Sequence, residues 1–480
     1  MLNASLPRSA AHDHVVSSTP PVAPSARRDT AWFASLRERE FGRLERSGEA
    51  YLDYTGSGLH AESHVRTHLE LLVGSVLGNP HSQSIASLRS TEIIEDARRR
   101  TLEFFAADPS EYDVVFTANA SAALRLVGEA FPFGPGSRFV LSSDNHNSVN
   151  GIRELARARR ADVAYIGLDD ELRVEDEERL LTRPLAPSLL AFPAQSNFSG
   201  VQHPLGMVAA AQRAGYVVLL DAASFVPTNP LRLDEVGAEF VALSFYKMFG
   251  YPTGVGCLIA RREALAKLRR PWFAGGTITV ASVQGDKYYF ADGPEAFEDG
   301  TLNYLSLPAI EIGLQHLQRI GMDTIHTRVT SLTGWLLREL AALKHSSGEP
   351  LARIYGPVTN ERRGGTVTLN FYDSDGHFID HRLVEERANQ RRISLRTGCF
   401  CNPGDGELAL GISADELTSC FVRHDRLTLD EFRRCIDDKS TGAVRISVGL
   451  ATTFADVYTC VAFARTFLDK SVFDLLESGD

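Results

Sequence analysis

Between residues 113 and 245 the sequence repeats one theme: a short apolar run, then a stretch with helical periodicity. The runs are "DVVFTA" (113–118), "RFVLSS" (138–143), "DVAYIGL" (162–168), "SLLAFPA" (188–194), "YVVLLDAA" (216–223) and "EFVALSF" (239–245). Among the stretches between them are "NASAALRLVGEAF", "SVNGIRELARARR" and "LGMVAAAQRAG", each with apolar residues at helical spacing. The runs are too short for buried helices and do not alternate with polar residues as half-exposed strands do. They read as strands covered on both faces, which predicts a mostly parallel sheet sandwiched by helices.

After about residue 305 the pattern changes. A long helical region (308–343) is predicted to break near Gly321, and strands such as "TVTLNFY" and "AVRISVG" follow, mixed with helices. We therefore expect a disordered tail over 1–29, a large α/β domain over 30–310 that includes an N-terminal helical segment, and a smaller α+β domain over 311–480. The tail is rich in Ser, Ala and Pro and lacks the apolar core of a secretory signal; a transit peptide is the alternative.

Composition closes off several functions. The net charge of −11 gives no electrostatic support for binding nucleic acid or an anionic membrane. No run approaches the roughly 18 apolar residues of a membrane span. Six cysteines in 480 residues suggest no disulfide framework and fit a reducing cytoplasm.

Four polar features fall at the carboxyl ends of predicted strands, where open α/β sheets collect ligands. "NAS" follows 113–118, His146 lies in the "DNHNS" that follows 138–143, Asp221 follows "YVVLL", and Lys247 follows "EFVALSFY". Taken singly, each has a bland alternative: a helix cap, a satisfied loop histidine, a structural acid, a snorkelling lysine. Together they are what pyridoxal 5′-phosphate requires. The lysine forms the Schiff base, the aspartate keeps the pyridine nitrogen protonated, the helix start receives the phosphate, and a flat ring covers one face.

These residues also carry a family resemblance. "YLDYTGSG", "GNPHSQS", "FTANASAAL", "DNHNSV", "LLDAASFVPT", "SFYKMFGYPTGVG", "FEDGTLNY", "RTGCFCNPG" and "GAVRISVG" occur in order. In these stretches the chain resembles the cysteine desulfurases of the class V aminotransferase group, with the fold type I (aspartate-aminotransferase-like) architecture. More narrowly it is similar to the desulfurase part of the molybdenum cofactor sulfurases. The resemblance implies Lys247 as Schiff-base lysine and proton shuttle, Asp221 on the pyridine nitrogen, and His146 on the ring. It places Ala120, Ser121 and Ser244 at the phosphate and Asn197 near the phenolic oxygen. Thr301 would be lent to the phosphate of a neighbouring subunit, so a homodimer is expected. Arg445 would grip the substrate carboxylate, and Cys401 would be the nucleophile that takes sulfur from L-cysteine and leaves alanine. A thiolate on that glycine-flanked loop is expected to be mobile and accessible.

Two positions depart from the simpler desulfurases. Tyr246 stands where they carry histidine and Ser224 where they carry glutamine, both in agreement with the sulfurase branch. Full-length eukaryotic sulfurases add a C-terminal domain for which this chain has no room, so the resemblance implies a separate sulfur acceptor. Other pyridoxal-phosphate reactions on the same scaffold stay open: C–S lyase, selenocysteine lyase, aminotransferase or epimerase. For Cys399 and Cys401 the alternatives are a zinc half-site or a disulfide, the second strained between such near neighbours.

Overall fold

The computed structural model describes residues 24–175, 182–423 and 442–477, together with a few positions between 426 and 435. A first helix, α1 (Pro24–Phe41), begins inside the stretch expected to be a disordered tail. The rest of that expectation, residues 1–23, lies outside the described residues.

The central sheet has seven strands: β1 (Tyr112–Thr117), β2 (Arg138–Ser142), β3 (Asp162–Ile166), β4 (Leu189–Pro193), β5 (Val217–Asp221), β6 (Phe240–Ser244) and β7 (Gly256–Arg261). Their spatial order is β1-β7-β6-β5-β4-β2-β3, parallel throughout except that β7 runs against both its neighbours. Each of the six predicted runs forms one of these strands. β7 has no counterpart among them.

Burial on both faces explains the uninterrupted apolar runs. In β4, Leu190 and Phe192 join one core cluster while Leu189 and Ala191 join the other. β5 and β6 divide the same way, Leu220 and Val241 on one side, Leu219 and Ala242 on the other. Burying each leucine, valine or phenylalanine among them contributes about 1.5–3 kcal/mol, so neither face tolerates a polar residue cheaply.

Residues 308–342 form α2 (Pro308–Ile320) and α3 (Met322–Ala342), broken at Gly321 as expected. Gly321 takes a φ of 90°, a backbone state most side chains avoid. A second sheet of four strands, in the order 352–355, 366–371, 443–447, 396–398, is wholly antiparallel. The segment before the central sheet joins this second region: Ala50 and Tyr51 pair in parallel with Ile393 and Ser394, and Asp53 bridges to Ser447. Residues from both ends of the chain therefore reach the carboxyl edge of the central sheet together. No described helix is long and apolar enough to cross a membrane. One pairing was not foreseen, since Cys420 and Cys435 form a disulfide.

Candidate active site

Sheet geometry brings the ends of β4, β5 and β6 side by side. Pro193 pairs with Asp221, and Asp221 with Ala242, two residues before Ser244. A cavity of about 220 Å³ opens over these ends, lined by Asp221, Ser224, Ser244, Tyr246 and Lys247 from two loops. Ala120, Ser121, His146 and Asn197 complete its wall. Nine residues singled out in the sequence thus meet in one place.

The helix over Ala120–Ala130 aims its start at this cavity. Asn119 caps it, its Oδ1 accepting from the Ala122 amide at 3.0 Å, so the bland capping reading of "NAS" holds for Asn119 itself. The Ala120 amide donates to Ser244 Oγ at 2.8 Å, fastening the helix start to the end of β6. A Cβ at Gly256 would sit 2.7 Å from the Asn119 backbone, so only glycine lets β7 pass this close.

Lys247 sits on the turn after β6. Burial pushes its pKa down; the Asp221 carboxylate works against that shift and the Arg445 guanidinium adds to it. Among the described residues none hydrogen-bonds its amine. Burial likewise lowers the pKa of His146, with Asp221 opposing and Lys247 assisting. The His146 Nδ1 accepts from the Ser148 amide at 3.1 Å, which leaves the ring neutral with its proton on Nε2. Asp221 Oδ1 accepts from the Ala223 amide at 3.0 Å.

This donor set fits pyridoxal phosphate: an amine biased toward its neutral form, an acid, a neutral ring and a helix start converge on one cavity. Ser224 and Tyr246, the two departures from the simpler enzymes, both line it.

Three expected residues lie outside this cavity. Arg445, on the second sheet, is almost wholly buried, and burial lowers its pKa against the pull of Asp53. Its Nη1 donates to the Asn197 carbonyl at 2.9 Å and its Nη2 to Asp53 Oδ1 at 2.9 Å. The other oxygen of Asp53 receives Arg396 Nε at 3.0 Å. Thr301 lines a separate cavity of about 370 Å³ with Arg270 and Trp272, and accepts from Asn79 Nδ2 at 3.3 Å.

Cys401 and Cys399 are both exposed, as attack on a substrate requires. The backbone of their loop is held at two points in this structure. Phe400 O accepts from Asn197 Nδ2 at 2.7 Å and Cys401 O from the Asn147 amide at 2.8 Å. Phe400 and Cys401 both have φ of 56°, and the Phe400 ring packs under the Arg445 guanidinium at 4.6 Å. Left-handed backbone at two adjacent non-glycine residues costs on the order of 1–3 kcal/mol each and persists only where surroundings impose it. Cys420 and Cys435 are committed to each other and add no ligands to a Cys399–Cys401 zinc site.

Two residues of this site had no role assigned from the sequence: Asp53 and Asn402. Asp53 lies within "YLDYTGSG". Asn402 stands in an Asn-Pro pair that signals a helix start.

The aminotransferase class-V profile matches residues 50–459. The chain is 37% identical to the molybdenum cofactor sulfurase of Solanum lycopersicum over 474 residues, 92% of this chain and 58% of that protein. It is also 37% identical to the Homo sapiens sulfurase over 473 residues, 93% of this chain and 52% of the other. The chain thus spans about half the length of these curated relatives. Among solved structures, a cysteine desulfurase from Thermococcus onnurineus superposes with a TM-score of 0.74 at 23% identity, covering 90% of this chain and 98% of that one. A cystine C–S lyase superposes at 0.67 with 19% identity, covering 89% and 100%. Likeness at that level speaks for a shared fold. Profile match and site geometry agree: the chain belongs to the aminotransferase class-V family.

Proposed function

We propose that the protein is a pyridoxal-phosphate-dependent cysteine desulfurase that moves sulfur from L-cysteine onto Cys401 and hands it to a separate acceptor, a protein or small molecule. The observation that supports this most is the placement of Asn197. It lines the Lys247 cavity, accepts from Arg445 through its carbonyl, and holds the Phe400 carbonyl beside Cys401. One residue thereby registers the amine, the carboxylate anchor and the nucleophile.

Pyridoxal phosphate, held by Lys247, Asp221 and the 120–121 helix start, supplies an electron sink for the substrate Cα. Ser244, His146, Ser224 and Tyr246 frame it. Arg445 takes the substrate carboxylate, which its planar fork suits. Lys247 Nζ removes the Cα proton and returns protons to carbon. The Cys401 thiolate attacks the substrate sulfur, so a Cys401 Sγ–S bond forms as the substrate Cβ–S bond breaks. The electron pair of that bond stays on Cβ, which takes a proton, and L-alanine leaves. The sulfur is oxidised to the persulfide level while Cβ is reduced to methyl, and no outside oxidant enters.

Loaded protein given L-cysteine and a thiol reductant is expected to release alanine and sulfide in equal amounts. Pyruvate in place of alanine would move the protein to the C–S lyase reading, and glutamate-dependent amino transfer to the aminotransferase one.

The site is completed, in this reading, by a second copy of the chain. Supporting it, Thr301 lies in a cavity apart from that of Lys247. Co-expressing Lys247→Ala with Thr301→Asp chains tests the arrangement. If Thr301 acts across a two-fold interface, mixed dimers regain one intact site and about a quarter of wild-type sites are restored. No recovery above the two parents would show Thr301 acting within its own chain, or not at all. A cytoplasmic location completes the proposal, since Cys401 must stay a thiol to accept sulfur; the Cys420–Cys435 disulfide lends that location no support.

A further inference from the structure

The loop bearing Cys401 is anchored from below by one fully buried side chain. Asn402 Nδ2 donates to the Asp144 carbonyl at 2.7 Å and to Asn197 Oδ1 at 3.0 Å, with Ser196 Oγ at 3.4 Å. Its Oδ1 accepts from the Asp405 amide at 3.2 Å, capping the helix over Pro403–Ala409. The Asn402 amide closes the loop onto the Cys399 carbonyl at 3.0 Å.

The ground under Asn402 is closely packed. A Cβ at Gly404 would stand 1.9 Å from the Ser143 carbonyl, so the helix start rests directly on the 143–145 segment. Asp144 is completely buried and takes His203 Nε2 at 2.6 Å, while Asp405 receives the Ser196 hydroxyl. Burial, then Asp144, push Asp405 up to about 7, partly offset by Ser196. Asp144 thus has a hydrogen-bond partner for its carboxylate, and its carbonyl stands where Asn402 needs an acceptor.

We propose that Asn402 is a positioning residue that sets Cys401 against the substrate sulfur, by locking the nucleophile's loop to Asn197 and through it to Arg445. The inference rests on the desulfurase reading above. Asn197 is gripped on one side by Arg445 Nη1 and on the other by Asn402 Nδ2, and itself holds Phe400 O. The carboxylate anchor and the attacking sulfur therefore share one reference point. Sulfur–sulfur displacement needs the two atoms close and aligned, and a misplacement of ~1 Å costs about 10²-fold.

Asn402→Ser separates this role from simple helix capping, because serine keeps a capping oxygen but has no amide donor. With pyridoxal-phosphate-loaded protein, alanine production from L-cysteine and Cys401 persulfide formation are expected to fall about 10²-fold. The visible absorbance of the loaded protein, and exchange of the L-alanine α-hydrogen with D2O, should stay at wild-type level. A merely structural lesion would lower exchange and sulfur transfer together, and that result would overturn the proposal. So would an Asn402→Ser protein that transfers sulfur normally. If the variant does not fold, amide hydrogen exchange in the wild type decides: Asn147 and Asn402 should be strongly protected, and free-loop exchange at either would overturn the anchor. A wild type forming no persulfide would bring down the desulfurase reading and this inference with it, whereas persulfide formation undiminished by Asn402→Ser brings down the inference alone.

Discussion

Lys247→Ala is expected to lose turnover of L-cysteine by about 10⁴-fold, the upper range for removing a positioned proton-transfer group. Loss of the covalent link to the cofactor adds to this, and the visible absorbance of a lysine-bound pyridoxal phosphate should vanish with it. An amine with no hydrogen-bond partner among the described residues, its pKa lowered by desolvation and only partly restored by Asp221, is closer to the neutral form that condenses with an aldehyde. Lys247→Arg should fail as completely, since a guanidinium does not deprotonate. Alanine quantification and an absorbance spectrum of each purified variant check both statements. Persistent turnover in Lys247→Ala would remove Lys247 from the centre of the site.

Cys401→Ser is expected to abolish alanine and persulfide formation, by about 10³-fold or more, while leaving the absorbance of the loaded protein intact. A hydroxyl in that place is too weakly acidic to act as the sulfur nucleophile, whereas a thiolate serves at neutral pH. The variant should still exchange the α-hydrogen of L-alanine with D2O, because Lys247, Asp221 and Arg445 are untouched. This split distinguishes a missing nucleophile from a damaged site. Undiminished alanine from Cys401→Ser would sink the persulfide route and favour a reaction in which this cysteine is a bystander.

The central sheet was legible because parallel strands buried on both faces leave uninterrupted apolar runs, and each such run became a strand. β7 was missed because "GCLIAR" follows the lysine loop directly, with no intervening helix pattern to mark a new element. The antiparallel hairpin of Ile278–Ser282 and Lys287–Phe290 was missed for another reason: it is mostly exposed and mixes polar with apolar residues, so no clean period shows. Lys247, Asp221, His146 and the 119–121 helix start could be read because each lies at a strand end. Asp53 and Asn402 could not. Asp53 meets Arg445 across 392 positions, and Asn402 meets Asn197 across 205; no local pattern encodes such pairings.

The Asp53–Arg445 pair has a consequence for how the site keeps its shape. A buried guanidinium without a counter-ion is strongly destabilising, on the order of 3–5 kcal/mol. Asp53 acts as a resting counter-ion supplied by the chain itself, and Arg396 waits on its other oxygen. A carboxylate arriving at Arg445, as the proposed function requires, would therefore perform an exchange of anions. In the proposed reaction the arginine would pass from one carboxylate to another while Asp53 keeps Arg396 as its cation, so the one positive charge that two guanidiniums and a single carboxylate leave in excess would be cancelled by the arriving anion.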